Sequence, residues 1–189
     1  QDPQDPRAPA WMAPFDADRS IAAHVDQVLA WLDLPPGERP QLVMDYFQHY
    51  DVAAHATGPA SAQAAHAKSE LDAGLARLLA GLRARGLQDR VDLVVVSDHG
   101  MDAVPPSHVD WLDPRVPQDA YEVVGTMVIG VVPRPGREAD VASLLGRHAH
   151  HACYAKDAMP ARWHYGTHAR VPPIVCVPDP GWYLFAREP

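Results

Sequence analysis

Val91-Asp92-Leu93-Val94-Val95-Val96-Ser97-Asp98-His99-Gly100-Met101 is the stretch on which the fold of this chain turns. From Val91 to Val96 every position but Asp92 is apolar, and four of them are valine. Such a run reads as a strand covered on both faces, the kind found in parallel sheets. It delivers an Asp and a His side by side onto a loop that Gly100 loosens. A second strand is expected from Gln41 to Phe47, and it too is followed by an Asp and a His, Asp51 and His55, four positions apart. Between the two runs a helix is expected from about Ser61 to Arg85, with Leu71, Leu75, Leu78, Leu79 and Leu82 on one face and Gly86 closing it. Strand, helix and strand in that order form a βαβ unit. The fold class is therefore α/β, a mostly parallel sheet flanked by helices. Ligands of open α/β sheets bind beyond the carboxyl ends of the strands, the edge that both Asp/His pairs occupy.

Working outward, residues 1–15 are Pro-rich and acidic and read as an irregular leading segment. Asp18 is expected to cap a helix that buries Ile21, Val25, Val28, Leu29 and Leu32, stopped by Leu34-Pro35-Pro36-Gly37. Downstream, a strand is expected from Val123 to Val132, a short helix from about Ala139 to His148, and strands at Ile174–Val177 and Trp182–Phe185. Gln1-Asp2-Pro3-Gln4-Asp5-Pro6 carries no Met and no signal-peptide pattern, so the start reads as the interior of a longer protein or a processed product.

The 189 residues suffice for one domain with a real core. A net charge of −8 argues against a general nucleic-acid binder, which needs a basic surface. It leaves nucleotide binding open, because metal ions supply local positive charge. No apolar run approaches the roughly 20 residues that span a bilayer. Cys153 and Cys176 lie in separate strand-like segments and are expected to be buried free thiols; two cysteines alone do not specify a disulfide.

Carboxylate oxygens together with imidazole nitrogens suit zinc, with manganese and iron as runners-up, whereas calcium and magnesium ask for more oxygen. Asp51, His55, Asp98 and His99 are too few for two closed four-ligand sites. They suffice as partial ligation of two ions with positions open to substrate. Two such ions about 4 Å apart clamp the attacking and leaving sides of a phosphoryl transfer.

Residues 43–59 and 94–101 resemble the metal-binding segments of the nucleotide pyrophosphatase/phosphodiesterase family, in the alkaline phosphatase superfamily. The similarity extends to Arg39-Pro40, to Met159-Pro160-Ala161-Arg162-Trp163-His164-Tyr165, to Arg170-Val171-Pro172-Pro173-Ile174 and to Asp179-Pro180-Gly181-Trp182. It thus covers most of the chain from about Trp11 onward, with Val96-Ser97-Asp98-His99-Gly100-Met101 its most specific piece. The resemblance implies an alkaline-phosphatase-like fold and a two-zinc hydrolase of phosphodiester or pyrophosphate bonds. Its Thr or Ser nucleophile passes through a covalent intermediate. By matching position, Asp98 and His99 would hold the ion that activates the nucleophile, and Asp51 and His55 the ion on the leaving-group side. Tyr46 matches an aromatic that stacks on the nucleotide base; a core tyrosine at a strand end is the competing reading.

The family's nucleophile, a further metal-binding Asp and a substrate-side Asn lie upstream of anything present here, and its last His ligand lies downstream. The chain is thus expected to be the middle and C-terminal part of a catalytic domain, 1–189, inactive alone. Tyr50 and Ala54 stand where many relatives carry Pro and Gly. Thr57 and Ser97 match non-nucleophilic positions. His148, His150 and His151 are expected at a solvated helix end and strand start, His108 and His168 in polar loops, and His164 in a packing role. The resemblance suggests a periplasmic or extracellular location. Two alternatives stay open: another enzyme of the superfamily (phosphomutase, sulfatase or phosphomonoesterase), and a non-catalytic module that binds metal or a partner protein.

Overall fold

The computed structural model describes residues 8–186. Residues 1–7 of the expected leading segment lie outside the described residues. The chain divides into two compact units, residues 1–102 and 103–189.

The first unit is built on three helices. Helix α1, Ile21–Leu32, buries the five apolar residues anticipated, but its cap is Ser20 and not Asp18. Ser20 Oγ accepts the Ala23 N–H at 3.2 Å, whereas the Asp18 N–H is itself turned onto Asp16 Oδ1. Helix α2, His49–Thr57, was not anticipated; nine residues with a single fully buried side chain, Ala54, leave almost no apolar stripe to read. Helix α3, Ala62–Ala84, starts at Ser61, whose Oγ accepts the Ala64 N–H at 3.0 Å. It ends in a Schellman turn: Gly86 adopts φ +63°, its N–H bonds Arg83 O, and the Leu87 N–H bonds Leu82 O at 2.9 Å. Leu82 and Leu87, drawn together by that turn, pack with Val28 and Leu32 of α1.

The expected strands at 41–47 and 91–97 are extended segments that form no ladder among the described residues. Each presses one side chain, Val43 or Val91, against the α1/α3 core. Phe47 is half-buried against the His24 ring, and most of the others face outward, with Val94 77% and Val96 83% exposed. The order extended segment, helix, extended segment is as anticipated; the parallel pairing is not formed among the described residues.

The second unit carries the ladders. Strands β1, Val109–Trp111, and β7, Tyr183–Phe185, pair in parallel. Five others form an antiparallel sheet in the order β2-β3-β6-β5-β4: β2 Tyr121–Val124, β3 Ile129–Pro133, β4 Gly146–Arg147, β5 His151–Ala155 and β6 Ile174–Pro178. The single strand expected over 123–132 is a hairpin, because Gly125 turns the chain at φ +88°. The helix expected to reach His148 stops early: α4 spans Glu138–Val141, a 3₁₀ turn follows over Ala142–Leu144, and Gly146 opens β4. Leu112, Ile129, Val131, Leu144, Cys176 and Leu184 lie at the centre of the core. Cys153 and Cys176 are not free thiols. They face each other in the β5/β6 register and are joined as a disulfide.

Candidate functional site

All four metal-ligand candidates fall in the first unit, and Asp51 is at their centre. Asp51 sits three residues after the α2 cap residue Gln48, where a carboxylate complements the partial positive charge of the helix N-terminus. His55 follows one turn later on the same face, so the Asp-x-x-x-His spacing is helical i, i+4 geometry. Its Nε2 lies 3.5 Å from Asp51 Oδ1. The extended segment 91–97 brings the second pair to the same carboxylate. His99 Nε2 lies 3.9 Å from Asp51 Oδ1 and 3.6 Å from Asp98 Oδ2.

These separations exceed hydrogen-bond lengths, and the local bonding explains why. His99 Nδ1–H donates to its neighbour Gly100 O at 2.9 Å, which leaves Nε2 as the free ring nitrogen. Asp98 Oδ1 accepts the His99 N–H at 3.1 Å and holds the pair in one turn. The His99 pKa is raised, first by the bond to the Gly100 carbonyl, then by the Asp98 and Asp51 charges. Asp51 Oδ1 is fully covered and accepts no hydrogen bond. A covered, unpaired anionic oxygen facing imidazole nitrogens is unfavourable by itself and favourable around a cation. Oxygen and nitrogen donors of these types fit zinc.

Tyr46 is 56% exposed. The two hydroxyls nearest the group are committed elsewhere. Thr57 Oγ1 donates to Ala53 O at 2.8 Å and lies 2.7 Å from Ser61 Oγ, and Ser97 Oγ donates to His99 O. Of the other histidines, His168 accepts the Arg170 N–H and His108 stacks on Trp182, as befits loop residues. His164 is exposed at φ +48° and does not pack as expected. His151 corrects the expectation of a solvated cluster, for it is buried.

Residues 2–188 match the sequence model of the family described as Type I phosphodiesterase / nucleotide pyrophosphatase. An uncharacterized pyrophosphatase/phosphodiesterase of Schizosaccharomyces pombe is 30% identical over 93% of this chain and 38% of its own length. Ectonucleotide pyrophosphatase/phosphodiesterase family member 5 of Homo sapiens is 29% identical over 96% of this chain and 38% of its length. The solved structure of murine ectonucleotide pyrophosphatase/phosphodiesterase 5 superposes with a TM-score of 0.77 at 29% identity, over 93% of this chain and 47% of that one. The fold is α/β and alkaline-phosphatase-like. The chain belongs to the type I phosphodiesterase/nucleotide pyrophosphatase family, and spans well under half the length of these curated relatives.

Proposed function

We propose that this chain is part of the catalytic domain of a two-zinc hydrolase that cleaves phosphodiester or pyrophosphate bonds in nucleotide-type substrates. The observation that supports it most is the covered, donor-less Oδ1 of Asp51 facing His55 and His99. One relative is named as a bis(5'-adenosyl)-triphosphatase of Xenopus laevis, and one neighbouring structure is titled as a complex with AMP. That name and that bound nucleotide motivate the nucleotide reading.

In this reading Asp98 and His99 hold one ion, and Asp51 and His55 the other. When bound, the ions supply positive charge against the phosphoryl oxygens as attack and departure proceed. The chain's own residues prepare that place. The Gly100 carbonyl fixes the ring orientation of His99 and directs its free nitrogen toward Asp51, an outer-shell role. Tyr46 offers an exposed ring face for stacking a base. Thr57 and Ser97 spend their hydroxyls on local backbone, which supports reading neither as the nucleophile. In this reading both units are parts of one catalytic domain, which the single family match running through them supports. A periplasmic or extracellular location is favoured by the names of relatives such as the venom phosphodiesterase of Naja atra. The Cys153–Cys176 disulfide suits it too.

The test compares hydrolysis of bis-p-nitrophenyl phosphate, p-nitrophenyl phosphate and p-nitrophenyl sulfate by the full-length protein. The diester is expected to be preferred, with activity lost in Asp98→Ala. Preference for the monoester or the sulfate, or an active Asp98→Ala variant, overturns the proposal.

A further inference from the structure

We infer that His148, His151 and Cys153 form a second, redox-gated site for a zinc-type divalent cation, closed while Cys153 is joined to Cys176 and opened by a thiol reductant. Among the described residues this is the one group of three His, Cys or carboxylate side chains whose ligand atoms all lie within 4.8 Å of one another.

The β4/β5 hairpin builds the group. Gly146 pairs with Cys153 and Arg147 with Ala152. The same register continues to His148 and His151, where the His148 N–H donates to His151 O at 2.9 Å. The two imidazoles therefore stack, with centroids 4.3 Å apart and planes within 5°. Cys153 follows His151 by two positions and shares its face of the strand. A His-x-x-His-x-Cys spacing across a two-residue turn thus gathers three soft donors on one side of a sheet.

Each imidazole is held in the tautomer that a ligand needs. His148 Nε2–H donates to Leu144 O at 2.7 Å, leaving the Nδ1 lone pair free. His151 Nδ1–H donates to Asp110 Oδ2 at 2.7 Å, leaving Nε2. That Nε2 is buried and has no hydrogen-bond partner, in a residue only 2% exposed. A buried polar atom left unpaired is rare and asks for a reason. A carboxylate behind a histidine whose other nitrogen is free is the outer-shell arrangement of metal-ligating histidines. Metal–nitrogen distances of about 2.0–2.1 Å and metal–sulfur distances of about 2.3 Å require the group to contract and the two stacked rings to turn out of parallel, so that both ring planes meet at the ion.

The gate is the disulfide, because a disulfide sulfur is no thiolate. Reduction transfers two electrons and two protons from two thiols of the reductant. The S–S bond breaks, Cys153 and Cys176 become thiols, and the reductant becomes a disulfide. On binding the cation, Cys153 Sγ releases its proton to solvent and ligates together with His148 Nδ1 and His151 Nε2.

Cobalt(II) titration of the full chain tests this, read by the thiolate-to-cobalt charge-transfer band. Asp51, His55, Asp98 and His99 contain no sulfur and contribute none of it. The oxidised protein is expected to show no band, and the protein reduced with a phosphine to show one at a single equivalent. Cys176→Ser, which leaves Cys153 permanently free, is expected to show the band without any reductant, and Cys153→Ser to show none with or without the phosphine. His148→Ala is expected to abolish the band, and Asp110→Asn to weaken binding about 10- to 100-fold. A band in the oxidised protein, no band in the Cys176→Ser protein, or a band unchanged by His148→Ala overturns the inference. Because His148 is only partly buried, that variant decides the matter even where a change at His151 prevents folding.

Discussion

Replacing Asp51 by Asn separates a carboxylate placed to hold a cation from one placed to hold the fold. The side chain keeps its shape, loses its charge and gains an N–H₂ donor that can meet the free nitrogens of His55 and His99, now 3.5 and 3.9 Å from Oδ1. In metal-free protein the substitution removes a covered acceptor that bonds to nothing, a group whose desolvation costs about 1–3 kcal/mol. Metal-free stability is therefore expected to stay level or rise. With zinc the sign reverses. A ligand that binds only the folded state adds about 2.7 kcal/mol at a concentration a hundredfold above its Kd. For a unit of some 95 described residues, 8 to 102 inclusive, each kcal/mol moves Tm by about 4–8 °C. Each ion should thus raise the parent's Tm by roughly 10–20 °C, and Asp51→Asn should lose the share of the ion that Asp51 and His55 hold. The assay is calorimetry of chelator-treated full chain with the disulfide intact, so that Cys153 contributes no thiolate. Equal zinc shifts in parent and variant, or a metal-free variant destabilised by more than about 2 kcal/mol, refute the reasoning.

Other expectations are independent of that site. The Arg115 guanidinium beside Asp113 lowers that carboxyl to about 2. A carboxylate lowered on folding stabilises above its unfolded value of 3.8, and the contribution is lost as pH falls from there toward 2. NMR titration should place the Asp113 midpoint near 2 and move it back toward the ordinary carboxylate range in Arg115→Gln. Gly74→Ala puts a Cβ 2.3 Å from Ile21 Cγ2, on a β-branched side chain that turns with difficulty. Overpacking of about 1–3 kcal/mol should outweigh the gain of about 1 kcal/mol in helix propensity. Gly81→Ala meets the end of the more adaptable Leu29 side chain, at 2.5 Å, and should cost less; urea denaturation of both variants ranks them. Tyr46→Ala in the full-length enzyme should raise KM for a nucleotide diester more than for bis-p-nitrophenyl phosphate, which carries no base to stack; equal effects would remove the stacking role.

The sequence disclosed helices α1 and α3 because each pairs an apolar stripe with a breaking turn, though the cap of α1 is Ser20 where the pattern pointed to Asp18. It concealed α2, whose packed faces are mostly alanine. Apolar runs such as 91–97 declare that a segment suits burial on both faces, but not which strand will cover it. The turn at Gly125 was legible as a glycine inside a strand pattern, and was read through because valines flank it on both sides. The Asp and His candidates were visible through their spacing and their resemblance. The convergence of both pairs on Asp51 depends on tertiary placement. The roles of Asp110 and Leu144 behind His151 and His148 had no sequence signal, since Asp110 comes from a strand 41 residues away from His151.

The central claim, that Asp51, His55, Asp98 and His99 hold two metal ions, is tested most directly by an anomalous-difference map at the zinc edge from crystals of the zinc-loaded full-length protein. The account predicts two peaks about 4 Å apart, one against Asp51 and His55 and the other against Asp98 and His99. A map with no anomalous peak at these four side chains would contradict it.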